Sequence, residues 1–144
     1  MTDQIKTLNS PYEVLRSVSD VNSGGLSEAS SRELALKIAE AASDRKGVDI
    51  IVLSVSDISY LADYFVIVTG LSKVQVRAIY QGIQQKVEQD LHRSPLRVEG
   101  QAEASWIVLD YGDAIAHILM PREREFYNLE AFWGHAEKIE LPFI

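Results

Sequence analysis

The chain has no cysteine, three histidines and four prolines among its 144 residues. Without a thiol it builds neither a disulfide framework nor a thiolate metal site, a composition suited to a reducing compartment. No stretch approaches the roughly 20 consecutive apolar residues that cross a bilayer. Residues 1 to 30 lack a basic start followed by an apolar run, so no signal peptide is expected and the expected location is cytoplasmic. His92, His117 and His135 fall on a predicted helix end, a strand and a terminal loop, without the i, i+4 pairing that grips a metal. A nucleophile elbow, a phosphate loop and a dinucleotide fingerprint are also missing. The expectation is a protein with no catalytic residue, metal or cofactor.

What is present suits one soluble domain, since 47% hydrophobic and 24% charged residues over this length supply a single sizeable core. The formal charge of −7 is unevenly spread. Residues 98 to 144 hold nine acids and three bases, so nearly all of the excess lies in the last third. Such a surface repels phosphate backbones and attracts cationic partners. Sequence-specific nucleic-acid binding is therefore not expected, and a basic protein is the easier partner.

Asn22-Ser23-Gly24-Gly25 marks a flexible boundary, dividing an N-terminal extension, residues 1 to 29, from a domain over residues 30 to 134. Residues 135 to 144 are expected to form a tail. In the extension, Ser10-Pro11-Tyr12-Glu13 is a capping box that could head a short amphipathic helix, but alone such a helix is too short to be stable in water, so the extension is expected to be mobile. Ser30 with Glu33 is a second capping box, followed by an apolar stripe of Leu34, Ala35, Ile38, Ala39 and Ala42. The runs at residues 49 to 55 and 64 to 69 are β-branched and short, as buried strands are. Gly70 ends the second run. Ser72 with Gln75 then heads a long helix with Val76, Ile79, Ile83 and Val87 on one face. A strand at Leu96 to Glu99 and a hairpin around Gly112 complete an order α, β, β, α, β, β, β, α. Helices interspersed with tightly joined strands imply an α/β (α+β) fold, a mixed five-stranded sheet with helices packed on it.

The hairpin carries the polar residues that most need explaining. Asp110 and Asp113 flank its turn but have the wrong parity for a two-metal acid pair, which sits at i and i+2 on one strand. At least one is expected to cap the turn by accepting from backbone N–H groups. If Trp106 points out from the sheet, parity sends Val108 and Asp110 to its face and Ile107, Leu109 and Tyr111 to the other. After Pro121 a helical pattern runs to Gly134, with positions 126, 129, 130 and 133 on a face expected to pack on the sheet and Tyr127 off that stripe.

Ala62-Asp63-Tyr64-Phe65-Val66-Ile67-Val68-Thr69-Gly70, then Ser72 and Gln75, Glu99-Gly100, Trp106 to Asp113, His117, Arg124, Phe126 to Glu130 and Trp133 strongly resemble the ribosomal silencing factor family, also called Iojap-like or RsfS. The likeness covers roughly Ser30 to Trp133 in unbroken motif order. It implies a nucleotidyltransferase-like outline and a domain that binds the L-fourteen protein of the large ribosomal subunit, blocks subunit joining and represses translation. The competing class is a nucleotidyltransferase-like enzyme or nucleotide-binding domain. Such enzymes follow their Gly-Ser turn with a D-x-D or D-x-E strand, whereas Ala78 to Gln85 here contains no acid. The expected partner-binding residues are Trp106 and Tyr111 as anchors, Glu99, Asp110 and Asp113 as complementary charge, with His117, Arg124 and Tyr127 nearby. Arg124 is expected to bridge to the hairpin acids. Apolar strand edges, and relatives that self-associate, add a homodimer to the expectations.

Overall fold

A computed structural model describes residues 28–56 and 61–144. Most of the N-terminal extension, with its capping box at Ser10, lies outside the described residues. The elements are α1 (Glu28–Asp44), β1 (Val48–Ser54), β2 (Tyr64–Thr69), α2 (Lys73–Leu91), β3 (Arg97–Glu99), β4 (Trp106–Asp110), β5 (Ala114–Leu119), α3 (Pro121–Tyr127), α4 (Leu129–Phe132) and β6 (Glu137–Lys138). The strands form one sheet in the order β3-β4-β5-β2-β1-β6. β2 and β5 run parallel at its centre, with Tyr64 opposite Ala114 and Thr69 opposite Leu119, and the other pairs are antiparallel.

β2 is buried at every position, which explains why Tyr64–Thr69 reads as a continuous apolar run rather than an alternating one. On one face α1 and α2 pack together over Val52, Tyr64, Val66, Val68, Ile107, Leu109, Ala116 and Ile118. Ala35, Ala39 and Ala42 keep α1 slim where it meets Ile79 and Ile83 of α2. Gly82 serves the same contact from the other side, since a Cβ there would meet Arg45 Cγ at 2.8 Å. Arg45 crosses at that point to donate to the Ala78 carbonyl at 3.0 Å.

The opposite face carries a second cluster, Leu53, Val55, Ala62, Phe65, Ile67, Ile115 and Leu119. Leu129, Trp133 and Ala136 lie over part of it, and Trp106 and Val108 remain half-buried at its margin. Among the described residues the two faces therefore differ: one is roofed by two long helices, the other by the short C-terminal segments.

Three local expectations are corrected. The tail adds a sixth strand, because Glu137 and Lys138 pair with Ser54 and Leu53 and the Ile139 N–H donates to the Val52 carbonyl at 2.9 Å. Two residues and one buried isoleucine have no periodicity to read. Helix α1 starts at Glu28, so Ser30 lies inside it rather than capping it. The pattern from Pro121 to Gly134 is broken at Asn128, which adopts φ 47°, a left-handed conformation that asparagine tolerates better than most side chains. That break turns Phe126 off the sheet, where it is 78% exposed instead of packed.

Candidate docking face

Strand alternation on β4 and β5 builds the face. Trp106 pairs with Leu119 and Val108 with His117, so Trp106 and His117 are diagonal neighbours on one side of the sheet. Trp106 Nε1–H donates to His117 Nδ1 at 3.2 Å. Accepting at Nδ1 requires the neutral imidazole, and burial pushes the His117 pKa down to about 4.

Around this pair the aromatic rings form a continuous row. Trp133 meets Phe65 edge-on at 5.0 Å, Phe65 meets His117 at 5.6 Å, and His117 meets Trp106 at 6.0 Å. Trp106 then meets Tyr127 at 4.7 Å, and Tyr127 meets Phe126 edge-on at 4.9 Å. The row begins in the second core cluster and ends in solvent. At its exposed end Ser105, Trp106, Arg122, Glu123, Phe126 and Tyr127 line an open groove of about 320 Å³. Gly100 sets the approach to β4: it has φ 90°, and a Cβ there would lie 2.0 Å from the Trp106 carbonyl oxygen.

The other expected contact residues divide into exposed and buried groups. Glu99 is exposed and pairs with Arg97 along β3. Tyr111 is 1% exposed in the helix-side core, and burial drives its pKa up. As strand parity expects, it lies with Ile107 and Leu109, away from the face that carries Trp106. Asp110 and Asp113 are buried as well. Asp110 Oδ1 accepts from the Gly112 N–H at 2.8 Å, the turn-capping role expected of one of the two.

Asp113 belongs to an internal network that the sequence does not announce. Arg93, just past α2, donates to both its carboxylate oxygens at 3.1 and 2.8 Å and to the Tyr111 carbonyl at 2.9 Å. Ser31 Oγ stands 3.0 Å from Asp113 Oδ2 and 3.2 Å from Asp63 Oδ2. These contacts lock α1, the entry to β2, the hairpin and the end of α2 together. Among the described residues it is Arg93, and not Arg124, that reaches Asp113. Arg124 instead donates through Nε and Nη2 to Glu130 at 3.2 and 3.0 Å, and through Nη1 to Thr69 Oγ1 at 2.9 Å.

The head of α2 is capped by its own side chains. Gln75 Oε1 accepts from the Leu71 N–H at 2.7 Å, and the Gln75 N–H donates to Ser72 Oγ at 3.1 Å. Among the described residues no group of three or more histidines and acids is placed to hold a metal ion. Nor is any helix there long and apolar enough to cross a membrane.

Residues 28–144 match the family model described as ribosomal silencing factor during starvation. The chain belongs to the ribosomal silencing factor family. It is 40% identical over 109 residues to the ribosomal silencing factor RsfS of Bacillus subtilis, covering 75% of this chain and 92% of that protein. It is 39% identical over 116 residues to the chloroplastic protein Iojap of Zea mays, covering 81% of this chain but 50% of the maize protein. The chain thus spans about half the length of that plant relative. A crystal structure of a Chromobacterium violaceum protein superposes with a TM-score of 0.69 at 32% identity, covering 77% of this chain and 91% of the other. A Bacillus halodurans structure gives 0.66 at 34% identity, covering 76% and 99%. The Bacillus subtilis relative is a silencing factor by name.

Proposed function

We propose that this silencing-factor-family protein acts by docking the Trp106 face on the L-fourteen protein of the large ribosomal subunit, thereby obstructing subunit joining and repressing translation without catalysing a reaction. The observation that carries this reading is the aromatic row that leaves the core at Trp106 and ends exposed at Tyr127 and Phe126. Aromatic anchors beside a groove are the usual centres of binding energy at protein interfaces. The acidic excess of residues 98 to 144 adds selectivity for a basic ribosomal protein and speeds encounter. Obstruction then follows from occupancy and residence time alone.

Burial of Tyr111, Asp110 and Asp113 narrows the contact set to Trp106, Tyr127 and Phe126, with Glu99 supplying charge at the β3 edge. Against a nucleotidyltransferase role stand two facts: Asp113 is engaged by Arg93, and Ala78 to Gln85 lacks the acid pair such chemistry needs. A homodimer built on the Trp106 face would compete with docking, and the free protomer would then be the docking species. The test is sedimentation of purified large subunits with the protein, followed by addition of small subunits. Co-migration together with suppressed joining is expected. Subunits that associate unhindered at saturation would sink the proposal, and calorimetry with magnesium and a nucleotide would show whether the enzyme class takes its place.

A further inference from the structure

The aromatic row ends on a helix that cannot hold its own shape. α3 is seven residues long and buries none of its side chains completely, and a free helix of that length does not persist in water. Its N-terminal approach is fixed by the Met120 N–H donating to the Ser105 carbonyl at 2.9 Å. Its C-terminal end runs into the left-handed Asn128. Among the described residues, Arg124 is the α3 side chain that reaches the sheet through hydrogen bonds. It joins Thr69, the 4% exposed last residue of central strand β2, to Glu130 on α4, across the break at Asn128. A planar guanidinium with several donors fixes direction as well as distance, which an ammonium does not.

Tyr127 lies three residues beyond Arg124, the spacing of neighbours on a helix surface. Pinning Arg124 therefore fixes the rotation of α3 and with it the directions of the Phe126 and Tyr127 rings. The Arg124 side chain is only 12% exposed, so little of it is left for a partner to touch. We infer that Arg124 is a positioning residue for docking, acting through Thr69 and Glu130 to hold Phe126 and Tyr127 ready for the partner rather than contacting it. This inference rests on the docking proposal above. The physical gain is preorganisation: if loss of the clamp leaves α3 correctly placed about a tenth of the time, apparent affinity falls about tenfold with every ring contact unchanged.

The experiment compares the unaltered protein with Arg124→Ala, Arg124→Lys, the Phe126→Ala/Tyr127→Ala pair, and that pair combined with Arg124→Ala. Affinity for purified large subunits is measured alongside amide hydrogen exchange of the free proteins. Arg124→Ala is expected to weaken binding about tenfold, or about 1.4 kcal/mol, and to speed exchange over residues 121 to 133 while β2 and α2 stay protected. Arg124→Lys should recover only part of the loss. In the ringless background the same substitution should cost less than about twofold, because what it positions has gone. An equal loss with and without the rings, or unchanged exchange in α3, overturns the inference. Full binding by the ringless pair overturns the docking proposal instead, and the exchange comparison still decides whether Arg124 holds α3.

Discussion

Trp106 and His117 are joined across adjacent strands, the indole N–H donating to the imidazole Nδ1 at 3.2 Å. The bond exists only while His117 is neutral, and burial holds its pKa down to about 4 against the ordinary 6.5. Between those values the unfolded chain binds a proton that the folded chain refuses. Stability contributed by this site is thus complete above about pH 6.5, falls as pH drops towards 4, and levels off below. The full effect is about 3 kcal/mol. Urea unfolding at pH 7 and pH 5 reads about half of it, since the loss continues towards pH 4, and His117→Gln should remove that part of the slope while leaving the carboxylate contribution.

Trp106→Ala and Tyr127→Ala should each weaken binding to the large subunit by about 2 to 4 kcal/mol, expressed chiefly as faster dissociation. Tyr111→Phe, which alters a hydroxyl inside the core, should leave the affinity of the folded protein unchanged. Surface-immobilised large subunits give both rate constants. A Tyr111→Phe loss as large as that of Trp106→Ala would show that the docking face is misplaced.

Arg93→Ala leaves Asp113, 5% exposed, without its cation. Because Arg93 itself is partly solvated, the expected destabilisation is about 2 to 3 kcal/mol, at the lower end for a broken buried pair. Thermal unfolding checks the figure. The variant that remains folded should dock normally, since the network lies beneath the surface.

Gly100→Ala meets the Trp106 carbonyl from a backbone conformation that L residues rarely adopt. A cost of about 2 kcal/mol or more is expected. The shift should also register in the fluorescence of Trp106, one of only two tryptophans in the chain.

Local physics made much of this fold legible in advance. The uninterrupted apolar run of β2 announced a strand covered on both sides, Ser72 and Gln75 announced the head of α2, and parity separated Trp106 from Tyr111. What escaped depends on distance along the chain. Nothing near Arg93 says that it meets Asp113, 20 residues away, and nothing near Arg124 says that Thr69, 55 residues earlier, receives it. The helix break escaped for a different reason: Asn128 is compatible with a helix, and only the pull of Leu129 and Trp133 onto the sheet turns it left-handed. The helical pattern accordingly places Phe126 on the packed face, and in the structure it belongs to the surface.

The parallel pairing of β2 with β5 carries a consequence for how the molecule matures. Val66 cannot meet Ala116 until α2, β3 and β4 have been made and folded back, and the aromatic row needs Trp133 besides. Long-range pairing of this kind forms late. A chain synthesised only as far as β4 therefore lacks the central pairing, and one made only as far as Asn128 lacks the inner end of the aromatic row.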